Sequence, residues 1–490
     1  MYIFDVLTTG IKIKELQGDL LRNFPHQATK DQIKLISEVA GFLLNKDPHQ
    51  LFVLKGYAGT GKTTLIQSII RSLVKYNRKS VLLAPTGRAA KVISSYTKRK
   101  AYTIHKHIYY PKFKSGSLHF ELQKNKASNT IYIVDEASMI GNQTDSAFGR
   151  NALLDDLIRF SDQGMNCKVL LIGDVAQLPP VGLVVSPALV PEELKMRYFK
   201  EVFQVELKEV VRQAQESGIL SNATVLRQLL ELDQIEYSPV FDLYPDVVRL
   251  AEKIDLEDAL NSAYSHHSME DSVVILRSNK RANIYNQQIR NRILWYEDEI
   301  TSGDHLIVVK NNYFALPKES KAGFIANGDQ IVIKRILRIQ ERHGFRFAKV
   351  EVNLVDYLDE PEFETLLLLD CIYTDRPSMT YDDVNRLYKS VEREYAHIKT
   401  KYKRFQAIKS DPYFNALQIK FAYAITCHKA QGGQWKNVFI EQGYLPENTI
   451  DKEYLRWLYT AFTRAIDKVY LIGFKPNFLH NMWIYRSRNS

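Results

Sequence analysis

The 490-residue sequence has only three cysteines, Cys167, Cys371 and Cys427. They lie far apart and none belongs to a CxxC pair, which argues against a zinc cluster or a disulfide framework and fits a reducing compartment. Long apolar runs are also missing. No stretch approaches the roughly 18 to 20 apolar residues of a membrane span. The first segment, "MYIFDVLTTGIKIKELQGDLL", lacks a basic head followed by an apolar core, so it reads as no signal peptide. A cytoplasmic protein is expected. No internal repeat and no low-complexity tract is visible.

What is present is ordinary for a globular chain: 45% hydrophobic, 25% charged and 11% aromatic residues. The length suits about three domains. A net charge of +10 points to a polyanionic partner, either nucleic acid or an acidic membrane surface.

Residues 1–25 read as a short leader closed by Pro25. "TKDQIKLISEVAGFLL" then spaces its apolar residues for a helix, with Thr29 as N-cap. The strand "LFVLKG" follows, then a glycine turn and the helical "KTTLIQSIIRSLVKY". The apolar runs "SVLLAPT", "TIYIVDEAS" and "KVLLIGD" alternate with helices, the pattern of a parallel sheet covered on both faces. The pattern restarts after about residue 206, in "DSVVILRSN", "QIKFAYAIT", "KNVFIEQG" and "KVYLIGF". Residues 325–375 suggest short antiparallel strands and a small barrel. Val384, Leu387, Val391, Tyr395, Ile398, Tyr402 and Phe405 then step by three or four, predicting one long helix over 382–409 that would reach about 40 Å. From Arg386 to Lys409 it carries eight Lys/Arg and two acids. This predicts an α/β fold of two doubly wound domains. The first is 26–205; the second is 206–324 with 416–490, split by a barrel-and-helix module at 325–415.

Gly56, Gly61, Lys62 and Thr63 satisfy G-x-x-x-x-G-K-[ST]. Glycines let consecutive backbone N–H groups turn toward phosphates, Lys62 adds a point charge on the β/γ oxygens, and Thr63 offers a hydroxyl to Mg²⁺. Ala58, Gly59, Thr60 and Thr64 complete the ATP-binding turn. "IYIVDEAS" ends an apolar strand with two acids: Asp135 to hold Mg²⁺ and Glu136 to polarise the attacking water. "LIGDVAQLPPVG" supplies Asp174 and Gln177, whose amide can both donate and accept at a γ-phosphate.

In order, the chain shows "ATKDQ", "GYAGTGKTT", "APTGRAA", "TIHK", "VDEAS", "GDVAQLPPVG", "VVRQ", "YAITCHKAQGGQW" and "YTAFTRA". This series resembles the superfamily 1B DNA helicases, the RecD-like and Dda-like branch, over roughly residues 29–474. The resemblance implies two RecA-like P-loop NTPase domains, a small β-hairpin insertion in the first and an SH3-like barrel plus long-helix insertion in the second. It also implies Mg²⁺ with ATP, single-stranded DNA and single-strand/duplex junctions as partners, 5′-to-3′ movement, a monomer, and replication or repair proteins nearby.

Carried over by position, Gln32 would read the adenine edge and Gln434 would lie near the sugar and phosphates. Arg212 and Arg464 would reach the γ-phosphate from the second domain, Arg464 as an arginine finger. The DNA side would take Pro85, Thr86, His105, Thr426 and His428, although the two histidines equally suit core or loop positions. "GGQW" departs from the serine and acid often found there. Ser115-Gly116, between alternating apolar residues, reads as a hairpin within 107–128. In the related helicases an insertion here is the pin that parts the duplex. Phe113 or Phe120 would then stack on a base, or else pack on the domain. The long basic helix is either a solvated face or a brace for the pin and DNA. Two rivals stay open: a translocase that remodels protein–DNA complexes or unwinds only with partners, and a nucleotide-switch scaffold.

Overall fold

A computed structural model describes the chain except residues 1, 25–26, 115–116, 145–150, 212–216, 236–237, 267, 318–319, 321–322, 358–359, 446–449 and 481–490. Two compact units emerge. The first comprises Met1–Pro85, Ala89–Tyr110 and Phe120–Ala223; the second comprises Thr86–Arg88, Pro111–His119 and Thr224–Ser490. Among the described residues, no helix is long and apolar enough to cross a membrane.

The strands up to residue 207 are β1 (Gln50–Gly56), β2 (Lys79–Ala84), β3 (Ala101–Thr103), β4 (Tyr109–Lys114), β5 (Ser117–Leu122), β6 (Thr130–Val134), β7 (Lys168–Gly173) and β8 (Glu201–Leu207). Six form one sheet in the order β3-β2-β6-β7-β1-β8, parallel throughout. β6 and β7 are buried along their whole length, as runs without polar alternation must be when helices cover both faces. β4 and β5 pair as a separate two-stranded sheet, the expected hairpin; its Ser115-Gly116 turn is outside the described residues.

The segment read as a leader is a helix, Tyr2–Arg22. Leu16 and Leu20 are fully buried in the first core, and the Ser68 hydroxyl donates to the Leu20 carbonyl at 2.7 Å. The next helix, Lys30–Leu44, starts at Thr29 with a complete capping box closed by Gln32.

The second unit holds β9 (Val247–Leu250), β10 (Ser272–Leu276), β11 (His305–Val308), β12 (Gln330–Arg342), β13 (Phe345–Leu354), β14 (Phe363–Leu368), β15 (Leu417–Phe421), β16 (Ala424–Thr426), β17 (Trp435–Glu441) and β18 (Ala465–Ile472). A parallel sheet runs β16-β10-β17-β18-β9, and β11 to β15 close a barrel. "QIKFAYAIT" is therefore two elements: its first part closes the barrel as β15, and its last residues enter the sheet as β16. The barrel is not an appendage. One core cluster runs from Val274 and Phe439 of the sheet to Ile331, Val350 and Leu417 of the barrel. At the entry to the barrel, buried Arg290 grips Asp304 through Nε at 2.9 Å and Nη2 at 3.0 Å, and the Tyr423 hydroxyl donates to the same carboxylate at 2.9 Å.

The expected single long helix is two helices, Tyr381–Glu394 and Lys401–Lys409. The break comes at Tyr395, whose backbone leaves the helical region (φ −93°, ψ 11°). Its hydroxyl donates to Asp411 at 3.0 Å, just beyond the second helix. Leu387, Val391 and Ile408 are buried with Phe345, Phe347 and Leu368 of the barrel. Two short helices put both apolar faces on that surface, which one straight rod cannot do.

Candidate functional site

Because β7 lies between β1 and β6 in a parallel sheet, the segments after these three strands emerge at one edge of the first unit. The glycine turn follows β1, Asp174 and Gln177 follow β7, and Asp135 and Glu136 follow β6. Three sequence-distant motifs thus meet without any long loop.

In the turn, Gly61 has φ 90°, and a Cβ there would meet Gln32 Nε2 at 2.4 Å, so only glycine fits. Gln32 Nε2 donates to the Thr60 carbonyl at 2.9 Å, and its Oε1 accepts from Thr29 N at 3.0 Å. The residue expected to read adenine is therefore also the brace of the turn, with one amide hydrogen left for another acceptor. Lys62 begins the helix Lys62–Leu73; its Nζ donates to Gly56 O at 2.6 Å and Tyr57 O at 2.9 Å, and lies 3.8 Å from Asp174 Oδ2. The Thr60 hydroxyl donates to Tyr57 O at 2.8 Å.

Asp135 accepts at both oxygens: from the Glu136 N–H at 2.9 Å on Oδ1, and from the Tyr96 hydroxyl at 2.9 Å on Oδ2. Burial and the neighbouring Glu136 charge push its carboxyl up to about 6, against hydrogen bonds and Lys62, which pull it down. Glu136 has φ 54°, a left-handed backbone uncommon outside glycine and of the kind that collects at functional sites. Gln177 is buried, and its Oε1 has no hydrogen-bond partner among the described residues, which suits it to accept from a bound water.

The Thr63 side chain lies near the Tyr96 hydroxyl that donates to Asp135. Two hard oxygen donors so close suit Mg²⁺, which commonly takes one or two protein ligands and completes its shell with water and phosphate. No group of three or more His, Cys, Asp or Glu able to hold a metal occurs among the described residues.

Other expected residues fall elsewhere. Arg212 lies outside the described residues, but Val211, just before it, donates its N–H to Gly59 O at 3.0 Å within the first unit. Pro85 and Thr86 follow β2 directly; His105 lies in the short helix Ile104–Ile108, 6.0 Å in ring separation from Tyr109. Phe120 is buried at 6% exposure, so it packs on protein; the Phe113 side chain is outside the described residues.

In the second unit, Thr426 ends β16, His428 is exposed in the helix Cys427–Ala430, and Gln434 is exposed after the double glycine. Arg464 is buried at 3% exposure. Its Nη1 donates to Gly433 O at 3.2 Å, its Nε to Thr460 O at 3.2 Å, and its Nη2 contacts the Thr463 hydroxyl at 3.4 Å. "GGQW" has a packing reason: a Cβ at Gly433 would meet the Trp435 ring at 2.3 Å.

Sequence reading missed Tyr96. "SSYT" has no motif character, and only the fold brings it to Asp135. A cleft of about 810 Å³ lined by Arg78, Lys79, Lys124 and Lys126 is not the nucleotide site, since it opens where β2 and β6 begin, opposite Asp135.

The AAA domain family model matches residues 44–183, and the UvrD-like helicase C-terminal domain model matches residues 421–472. The chain is 25% identical over 491 aligned residues to an uncharacterized protein of Acanthamoeba polyphaga mimivirus, covering 87% of this chain and 96% of that one. It is 33% identical over 153 residues to the ATP-dependent RecD2 DNA helicase of Deinococcus radiodurans, covering 31% of this chain and 18% of that protein. With the ATP-dependent DNA helicase Dda of Enterobacteria phage T4 it shares 24% identity, over 81% of this chain and 88% of that one. Among solved structures, the Bacteroides Pif1 helicase in complex with ADP-AlF3 and single-stranded DNA aligns with a TM-score of 0.45 at 14% identity, over 95% of this chain and 98% of that chain.

Proposed function

This chain belongs to the superfamily 1B helicases of the RecD-like and Dda-like branch, and from that premise we propose that it is an ATP-driven motor that moves 5′ to 3′ along single-stranded DNA and opens duplex ahead of it. The observation that supports this most is the convergence of Lys62, Thr63, Asp135, Glu136 and Gln177 at one edge of the first sheet, with the DNA-side motifs following in family order.

The chemistry is hydrolysis of the terminal phosphoanhydride. The Gly56–Gly61 turn and Lys62 hold the phosphates. Thr63 and Asp135 would hold Mg²⁺, which would supply positive charge against the phosphate oxygens. Glu136 takes the proton of the attacking water as its oxygen bonds to the γ-phosphorus. The bond from that phosphorus to the bridging oxygen breaks, and ADP and phosphate leave. Gln177 orients the water through its unpartnered Oε1. Arg212 and Arg464 supply guanidinium charge to the transferring phosphoryl group; Arg464 must exchange its carbonyl partners for phosphate oxygens to do so. ATP and ADP that favour different conformations of the two units turn each cycle into a step. Pro85, Thr86, His105, Thr426 and His428 hold the strand by its backbone without reading sequence.

The test is strand displacement on duplexes with a 5′ or a 3′ single-stranded tail, with and without ATP. ATP-dependent release from the 5′-tailed duplex alone is expected. DNA-stimulated hydrolysis without release would make the chain a translocase, and hydrolysis indifferent to DNA would remove the motor assignment.

A further inference from the structure

Tyr96 sits next to the end of the helix Gly87–Thr97, outside every nucleotide-site motif named above. Its ring packs against the apolar core of the first unit, while its hydroxyl leaves that core to donate to Asp135 Oδ2 at 2.9 Å. The Thr63 side chain lies near the same phenol. A phenol has one hydrogen and accepts through lone pairs. Its hydrogen is spent on the carboxylate, which ties one end of Asp135 to the core. The Glu136 N–H holds the other Asp135 oxygen at 2.9 Å, so the carboxylate is fixed at both ends.

We propose that Tyr96 is a positioning residue for magnesium–nucleotide binding: its hydroxyl, together with the Glu136 N–H, holds the Asp135 carboxylate in place for the Mg²⁺ ion that Asp135 would ligate. This deepens the nucleotide-site part of the proposed function and rests on it. Partners that orient metal ligands in this way commonly change metal affinity by 10- to 100-fold when removed.

Tyr96→Phe deletes one oxygen and keeps the ring in the core. The Mg²⁺ concentration giving half-maximal binding of a fluorescent ATP analogue is expected to rise roughly tenfold. Binding of the same analogue in EDTA is expected to match the parent chain. An unchanged Mg²⁺ requirement overturns the proposal, and so does an equal loss of binding in EDTA, which would mean a collapsed pocket. Gln67→Ala is the structural control. Gln67 Nε2 donates to the Tyr96 carbonyl at 2.9 Å, so its loss loosens the same helix end without touching the hydroxyl. A Mg²⁺ shift in Gln67→Ala as large as that in Tyr96→Phe would assign the effect to the helix and overturn the proposal. Neither titration contains DNA, so a chain that fails the tailed-duplex assay still returns an independent result here.

Discussion

Lys168 is a cation the fold has enclosed at 1% exposure with no ion-pair partner among the described residues. Its ammonium donates to the Phe42 carbonyl at 2.8 Å and Gln50 Oε1 at 3.1 Å. Burial, and then the charge of Arg78, lower its pKa to about 7. The unfolded chain keeps a lysine near 10.4. Between these values the unfolded state binds more protons, so stability rises as pH climbs from 7 toward 10, and the penalty is complete below 7. In Lys168→Met that slope should vanish. Denaturant unfolding at pH 7, 8 and 9 should show the parent gaining on the variant by about 1 kcal/mol per pH unit at most. A difference that stays flat over that range would show that the lysine does not titrate there. At this scale, residues whose placement is local were legible: Lys62 and Thr63 begin the helix that follows their own glycine turn. Gln32 was half legible, because its bond to the Thr60 carbonyl spans 28 positions and leaves no local pattern.

Elements were legible where one periodicity governs them. The buried strands β6 and β7 read directly, since both faces are apolar. The helix over 382–409 was misread as one rod because its step of three or four residues continues through Tyr395; what ends it is a hydroxyl bound to Asp411, a tertiary contact. The barrel was read as 325–375, yet its closure also needs β11 and β15, whose apolar runs look like those of any sheet strand. The Gly433–Trp435 pair belongs here too. Gly433→Ala forces a methyl into the buried indole and should cost about 1 to 3 kcal/mol by denaturant unfolding. In the double variant with Trp435→Ala, the combined loss should fall short of the sum of the single losses, because the clash goes with the ring. Strict additivity would mean that the loop adjusts without the ring.

For the whole molecule, a net charge of +10 becomes a measurable expectation once the partner is a nucleic acid. Binding of an oligothymidylate should weaken with salt, with a log–log slope of about −2 or steeper if three or more phosphates are neutralised. A slope near zero, measured by fluorescence anisotropy, would mean that the positive charge is not used on the strand.

Contiguous features were legible in residue order alone: the glycine turn and the strand-end acids each involve only neighbours a few positions apart. Long-range meetings were decided by folding: Tyr96 on Asp135, Arg464 on the Gly433 carbonyl, and β11 and β15, distant in sequence, closing one barrel. Such contacts depend on which apolar faces find each other, and a linear pattern records that a face is apolar but not what it packs against.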